Sequence, residues 1–430
     1  MLAMKKITDI SRSVLNKLEQ TTQIPCNPLL TCLILSCLIM MSCGRGGGST
    51  NNTIIDTQSP SSWSVFTLDS TGDVGLSTSI STGSIHISYY DSTNDQLKYI
   101  KYSSGSWSTP ISVISVGSIS LATNYSDLAL DSHGNIFLTY YDATAVLNGD
   151  LRLITCPVPN DCSDSANWNN VLIDSTGDVG SDTAIHIDLL DNIHISYYDS
   201  DNGYLKYAYC QAGSNCNLNS NWSSSIIDNS GDVGQYSSIA SDSSNNIHIS
   251  YYDSAGLFTG NLKYASCMST NDCTDPSNWN TVPIDSTEDA GQYSSITCDS
   301  GDNIHISYYD VDNGNLKYAF CLSSSDCTQT SNWNTVTIDS AVDVGDYSSI
   351  AADSQNDLHI SYHDFNNDNL KYASCNSTAD CTLSSSWEII IVDATTGVGE
   401  FSSVAADEND NIHISYYDSY NEDLKYAVKQ

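Results

Sequence analysis

The chain has 430 residues, and 51 Asp and Glu against 14 Lys and Arg give a formal net charge of −37. A polyanion of this strength gains no affinity from phosphates, which argues against a nucleic-acid partner. Simple disorder is excluded too: 40% of the residues are hydrophobic, and 27 Tyr and 7 Trp supply large apolar surfaces.

At the N-terminus, Lys5, Lys6, Arg12 and Lys17 form a basic leader. Leu29 to Met41 is an apolar run of 13 residues, short for a bilayer span but right for a signal-peptide core. It ends in Met40-Met41-Ser42-Cys43-Gly44, which resembles a bacterial lipobox, whose cysteine is lipidated and becomes the mature N-terminus. Cys43 is therefore the expected lipid-bearing residue. Ile34-Leu35-Ser36-Cys37 fits less well, because cleavage there leaves apolar residues on the mature chain. An uncleaved anchor and plain secretion are the alternatives. Loss of residues 1–42 removes four bases and two acids, Asp9 and Glu19, leaving a net charge of −39. Residues 43–62 then form the lipidated Cys and a tether rich in Gly, Ser, Thr and Asn. Such a segment buries no core and has a typical reach of roughly 25 Å. The expected location is the bacterial cell envelope, exported and membrane-anchored, at the outer membrane or cell surface.

Residues 63–430 repeat one unit. The seven tryptophans (Trp63, Trp107, Trp168, Trp222, Trp279, Trp333, Trp387) fall at matching places, mostly about 54 residues apart. Each opens a segment such as Trp333-Asn-Thr-Val-Thr-Ile-Asp339. Segments like Tyr347-Ser-Ser-Ile-Ala-Ala-Asp353, Asn303-Ile-His-Ile-Ser-Tyr-Tyr-Asp310 and Asn315-Leu-Lys-Tyr-Ala319 complete the unit. All are short, β-branched or aromatic, and bounded by turn residues. Four strands per unit, seven times over, predict an all-β, seven-bladed β-propeller. With strands a to d running outward from the axis, the Trp segment is strand d. Residues 63–69 supply a d strand with no blade before it, and Phe401 to Val428 supply a, b and c with none after. The first segment is expected to complete the last blade and close the ring.

Each Tyr-Tyr-Asp copy is followed by a base in the next strand: Lys98, Arg152, Lys206, Lys263, Lys317, Lys371 and Lys425. The expected pairing is across the b–c hairpin, contributing about 0–1 kcal/mol at an exposed site. Ten cysteines form five C-x5-C pairs: Cys156/Cys162, Cys210/Cys216, Cys267/Cys273, Cys321/Cys327 and Cys375/Cys381. The pairs lie in different blades and cannot share one zinc, so local disulfides are expected, in an oxidising compartment. Cys298 stands where Ser241 and Ala352 stand in sister units and reads as a small core residue.

Six histidines repeat on strand b (His86, His194, His248, His305, His359, His413), with Phe137 in the same place in the second unit. A residue exchangeable with Phe reads as packing. His186, His363 and His133 depart from the repeat. His186 and Glu400, non-repeated residues of the innermost strand, are candidate ligand contacts at a channel mouth. The Asp-x-Asp-Asn-Gly turns at Asp199, Asp201 and at Asp310, Asp312 offer oxygen ligands to Ca²⁺, as an EF-hand loop begins, but lack its bidentate Glu. Plain turn chemistry is the alternative.

The run Ile-His-Ile-Ser-Tyr-Tyr-Asp, Leu-Lys-Tyr-Ala, Trp over 63–430 resembles the repeats of sialidase-type propellers. Those families carry an Asp-box, Ser-x-Asp-x-Gly-x-Thr-Trp. Ser104-Gly-Ser-Trp107 is similar to a remnant of it, while Asp326 to Trp333 spaces Asp and Trp by seven rather than five. The resemblance implies the blade plan and not the activity. Sialidases hold the substrate carboxylate with three Arg, and beyond the leader this chain has Arg45 and Arg152 alone. No catalytic residue is assigned. The reading is an envelope lipoprotein, monomeric, whose propeller is a non-catalytic binding or scaffold module for a glycan or surface protein. A carbohydrate-active hydrolase or lyase with its site at the channel mouth is the second reading, and a purely structural envelope protein the third. They differ in whether departures from the sevenfold pattern cluster at one mouth.

Overall fold

The computed structural model describes residues 63–116, 126–144, 148–254 and 259–430. Cys43 and the expected leader and tether lie outside them. Seven antiparallel sheets make up the body. Blades 1 to 7 comprise residues 74–115, 126–174, 179–228, 233–285, 290–339, 344–393, and 398–429 with 63–69. Strand Trp63–Asp69 pairs antiparallel with Asp423–Lys429, from Trp63 opposite Lys429 to Asp69 opposite Leu424. The expected clasp is therefore formed, and blade 7 has its fourth strand. The only helical elements among the described residues are five three-residue 3₁₀ turns in the loops before the outer strands.

Strands b and c pair without interruption, as from Ile193 opposite Cys210 to Asp199 opposite Tyr204. Alternation sends successive side chains to opposite faces of the blade, and a neighbouring blade covers each face. The core is thus a set of layers between blades. In one, Leu205 and Tyr207 of blade 3 pack with Val233, Ile247, Ile249 and Tyr251 of blade 4. Each such side chain contributes about 1.5–3 kcal/mol on full burial. Trp279 reaches back to Tyr207 edge-on at 5.1 Å, and Trp333 to Tyr264 at 5.0 Å. Gly234 permits the close approach of blades: at φ +111°, a Cβ would lie 2.7 Å from the Leu205 backbone.

Six of the seven repeat bases find their nearer partner outside their own hairpin. Lys206 Nζ lies 2.5 Å from Asp174, at the end of the preceding blade's outer strand, and 3.9 Å from Asp199 of its own hairpin. Tyr197 OH donates to the same Asp174 oxygen at 2.8 Å. The pattern recurs as Lys98–Asp69, Lys263–Asp228, Lys317–Asp285, Lys371–Asp339 and Lys425–Asp393. These pairs are buried and join one blade to the next, not exposed and within a hairpin. Lys98–Asp69 locks the closing strand to blade 1. The strand preceding blade 2 ends without an Asp, and there Arg152 makes the expected pair within its own hairpin, with Asp142 at 2.6 Å.

All five disulfides are formed: Cys156–Cys162, Cys210–Cys216, Cys267–Cys273, Cys321–Cys327 and Cys375–Cys381, with Cα–Cα 5.9–6.0 Å. The first cysteine of each pair is buried at the end of strand c. The second stands in the following loop, where Cys162 is buried and Cys216, Cys273, Cys327 and Cys381 are partly exposed. The expected local disulfides are thus present, and each also positions a hydrogen-bond acceptor. The backbone carbonyls of Cys162, Cys216, Cys273, Cys327 and Cys381 each accept the indole N–H of the Trp six residues on, at 2.9–3.1 Å. An indole N–H in a packed layer needs an acceptor, and the bridge holds the loop carbonyl in place to supply it. These cysteines are therefore structural, and they lie at the outer side of the blades, away from the axis.

Candidate functional site

In blades 1 and 4 to 7 the innermost strand places two hydroxyl residues beside the axis. The first, as in Ser237, Ser294, Ser348 and Ser402, donates to the preceding blade's carbonyl at 2.9–3.0 Å. The second, as in Ser238, Ser295, Ser349 and Ser403, accepts the next blade's amide N–H at 3.1–3.3 Å. This belt leaves an axial cavity of about 120 Å³. Blades 2 and 3 depart from it. Blade 3 has Ala184 in the second position, and blade 2 has Asp127, which accepts from Ser79 Oγ at 2.7 Å and from the Ile185 amide at 2.9 Å. Burial raises its pKa.

One residue before this pair, the inner strands of blades 1 and 3 to 7 bulge. Two register shifts flank a residue in the left-handed region, as at Tyr236 (φ 52°), Tyr293 (52°), Tyr347 (51°), Phe401 (53°), Asp182 (49°) and Ser77 (49°). Such residues are strained by about 1–3 kcal/mol each, and the bulge aims them at the channel. Blades 4 to 7 supply aromatics here. Tyr236, Tyr293, Tyr347 and Phe401 form an arc with successive ring centroids 4.6, 4.5 and 4.5 Å apart. The three tyrosines are partly exposed. They stand toward the face that carries the d–a and b–c loops.

The residue before the bulge faces the second Tyr of strand b. Across the blades it is Leu76, Ser181, Gln235, Gln292, Asp346 and Glu400. The acids fall on adjacent blades 6 and 7. His363 replaces the second Tyr in blade 6. In five other blades that Tyr donates to an Asp of the next blade's d–a loop, as in Tyr198 to Asp232, Tyr252 to Asp289 (2.6 Å), Tyr309 to Asp343 (2.5 Å) and Tyr417 to Asp73 (2.6 Å), while Tyr90 of blade 1 donates to Asp95 of its own b–c loop. For His363 the matching position is Gly397, so both members of the pair change together. His363 Nδ1 turns to Asp346 at 3.3 Å, while its Nε2 is buried without a hydrogen-bond partner. Gly397 also lets the blade 7 hairpin come close: a Cβ there would lie 2.8 Å from Tyr420 Cβ. Tyr420 and Phe365 are exposed on the adjoining b–c loops.

Electrostatics couple the three titratable groups. Burial works against charge on His363, but the hydrogen bond and charge of Asp346, with Glu400 and Asp368 nearby, outweigh it and raise its pKa. Burial raises Asp346 and Glu400, with His363 opposing in both cases. The site holds a partly exposed carboxylate pair, an imidazole bonded to one of them, and aromatic faces alongside. It can accept hydrogen bonds, stack on a flat ligand and exchange protons.

The two ligand-contact candidates do not meet. Glu400 is the third residue of Val398–Ala406, at this mouth. His186 is the eighth residue of Val179–Ile187, near the opposite end of the channel, and its Nε2 lies 2.8 Å from Ser241 Oγ. Burial, chiefly, lowers His186 to about 4, which keeps it neutral. Asp346, unnoticed in the sequence, becomes visible when the residue after Val-Gly is compared across units.

The candidate calcium residues are occupied otherwise. Asp199 and Asp310 accept from their own turn residues Asn202 and Asn313, and each has Lys206 or Lys317 within 3.9 Å. Asp201 and Asp312 accept the Asp178 and Asp289 amides at 3.0 and 3.1 Å. Among the described residues, one group of three, Asp131, His133 and Asp191, has potential ligand atoms within 4.8 Å of one another. It belongs to the repeat's own loop contacts: Ser132 binds Asp191 as Ser243 binds Asp302 and Ser354 binds Asp410. Cys298 is free and partly buried, and burial raises its thiol pKa. The strand b histidines are structural, but with more partners than packing requires: His194 meets Tyr207 OH at 2.7 Å and Asp188 at 3.2 Å.

No family model and no curated protein matches the chain. Among solved structures, an ulvan lyase of the polysaccharide lyase PL25 family is similar at TM-score 0.50 and 11% identity, over 84% of this chain and 93% of that one. A protein of unknown function from Dyadobacter fermentans is similar at 0.48 and 11%, over 71% and 93%. The NanB sialidase of Streptococcus pneumoniae is similar at 0.42 and 13%, over 85% and 70%. At these identities the likeness is one of fold.

Proposed function

We propose that the chain is an exported glycan-binding module, held at the bacterial envelope through Cys43, with its site at the channel mouth over blades 4 to 7. One observation carries this reading: Asp346, His363, Gly397 and Glu400 break the repeat together on two adjacent blades, beside the aromatic arc. A ring that served only as scaffold has no need of such a cluster. Sugar rings present apolar faces to aromatics and hydroxyls to carboxylates, and the mouth offers both. The five disulfides support export. A glycan array, with a surface-protein pulldown beside it, tests the site. Retention of a glycan by the native protein, lost in Glu400→Gln and His363→Ala, is expected. Capture of a surface protein alone, or no ligand by either route, would overturn it. Fatty-acid labelling of the expressed protein, lost in Cys43→Ser, tests the anchor.

The protonation chemistry of the same cluster favours one second reading, a carbohydrate-active hydrolase or lyase. A half-buried carboxyl with a raised pKa retains its proton closer to neutral pH and serves as a general acid, and Glu400 is such a group. Release of reducing ends or unsaturated products from a polysaccharide, abolished in Glu400→Gln, would establish it.

A further inference from the structure

We infer that the mouth recognises a protonated amine, so that its glycan carries de-N-acetylated amino sugars. This rests on the glycan reading and narrows it to a ligand class. The first ground is the absence of competing bases. The six repeat lysines near this face are each buried against an aspartate, and Arg152 is held by Asp142. The other described bases, Lys101 and Lys429, stand late in their strands Gln96–Ser103 and Asp423–Lys429, toward the opposite face. Asp346 and Glu400 therefore face the channel mouth with no described lysine or arginine beside them.

The second ground is the protein's own way of seating ammonium groups. In six blades a lysine Nζ lies 5.5–5.8 Å from a tyrosine centroid and against a carboxylate that the tyrosine hydroxyl also binds, as Lys206 does beside Tyr197 and Asp174. Aromatic face and carboxylate together stabilise a desolvated cation. The mouth places the same two groups, Tyr347 and Phe401 beside Asp346 and Glu400, without a lysine. Third, His363 is 1% exposed, and its Nε2 has no hydrogen-bond partner within the cluster. An acidic sugar would meet repulsion here. A neutral one would leave the two carboxylates with one imidazole as countercharge.

Calorimetric titration at near-physiological salt with tri-glucosamine and tri-N-acetylglucosamine tests the inference on the intact native protein. The amine trimer is expected to bind about tenfold tighter or more, because acetylation removes the charge. Glu400→Gln should abolish that preference, and Asp346→Asn should reduce it, with melting curves confirming that both variants fold. Glu408→Gln, exposed on the opposite face, removes the same charge and should leave affinity unchanged. Equal affinity for the two trimers would overturn the amine inference while leaving glycan binding intact. Failure of both trimers, and of every neutral or acidic glycan, would remove the glycan reading as well. Equal weakening in Glu408→Gln would reduce the effect to general polyanion attraction and overturn the site. Displacement of the trimer by lysine amide at equal concentration would move the occupant to a protein side chain, and would also overturn it.

Discussion

Lys206 shows how a single repeat position joins blades. Its ammonium and the Tyr197 hydroxyl both serve Asp174 of the preceding blade, all three buried. Removing one member leaves a charge without its partner, so Lys206→Met should destabilise by about 3–5 kcal/mol in denaturant unfolding. Lys101→Met should change nothing measurable, because its partner Asp161 is exposed. The pH dependence has a definite sign. Burial works to raise Asp69, Asp174, Asp228, Asp285, Asp339 and Asp393, but hydrogen bonds from lysine and from threonine, serine or tyrosine outweigh it, and each pKa is lowered. Asp188 and Asp242, bonded to strand b histidines, are lowered to about 2. A depressed carboxyl stabilises the fold above its unfolded pKa, near 4, and that contribution fades as pH falls below it. The melting temperature should therefore drop steeply below about pH 4, as circular dichroism can follow. His363 has the opposite sign: its raised pKa stabilises at low pH and loses that contribution as pH rises through the folded value.

At the scale of elements, closure and stapling carry testable weight. Strand Trp63–Asp69 contributes Trp63 to the layer between blades 6 and 7 and Asp69 to the pair with Lys98. Deleting residues 63–69 would bare the edge of Asp423–Lys429 and remove both contacts. A lower melting temperature, with dimers visible on size exclusion, is expected. Each bridge closes a short loop and contributes roughly 2 kcal/mol on the chain-entropy model. The double change Cys267→Ser, Cys273→Ser should lose about that much, and no more than one blade's share of stability. The sequence made these elements legible because turn residues and strand period recur seven times. It did not reveal the lysine partner, nor the Trp indole seated on each bridged loop. Asp199 lies closer to Lys206 in the chain than Asp174 does, and only the stacking of blades makes the distant carboxylate the nearer one.

At the scale of the molecule, the ring has two unlike ends. The d–a and b–c face carries the aromatic arc and the acids of blades 6 and 7, while His186 stands toward the other end. No cation is needed to hold the turns, since amides and lysines already occupy the carboxylates of Asp199, Asp201, Asp310 and Asp312. A chelator should therefore leave the thermal transition unchanged. A shift of several degrees on adding EDTA would show that a metal holds part of the ring.

The sequence by itself determined the seven blades, the strand order within each, the closing strand and the five disulfide pairs. These follow from local period and from spacing, which need no knowledge of the third dimension. It also marked His363 and Glu400 as departures from the repeat. Only the tertiary structure joined them to Asp346, because strand register sets Asp346 opposite His363 and blade 7 packs its inner strand, with Glu400, against blade 6. It likewise separated His186 from Glu400, since residues on equivalent strands stand at opposite ends of one channel.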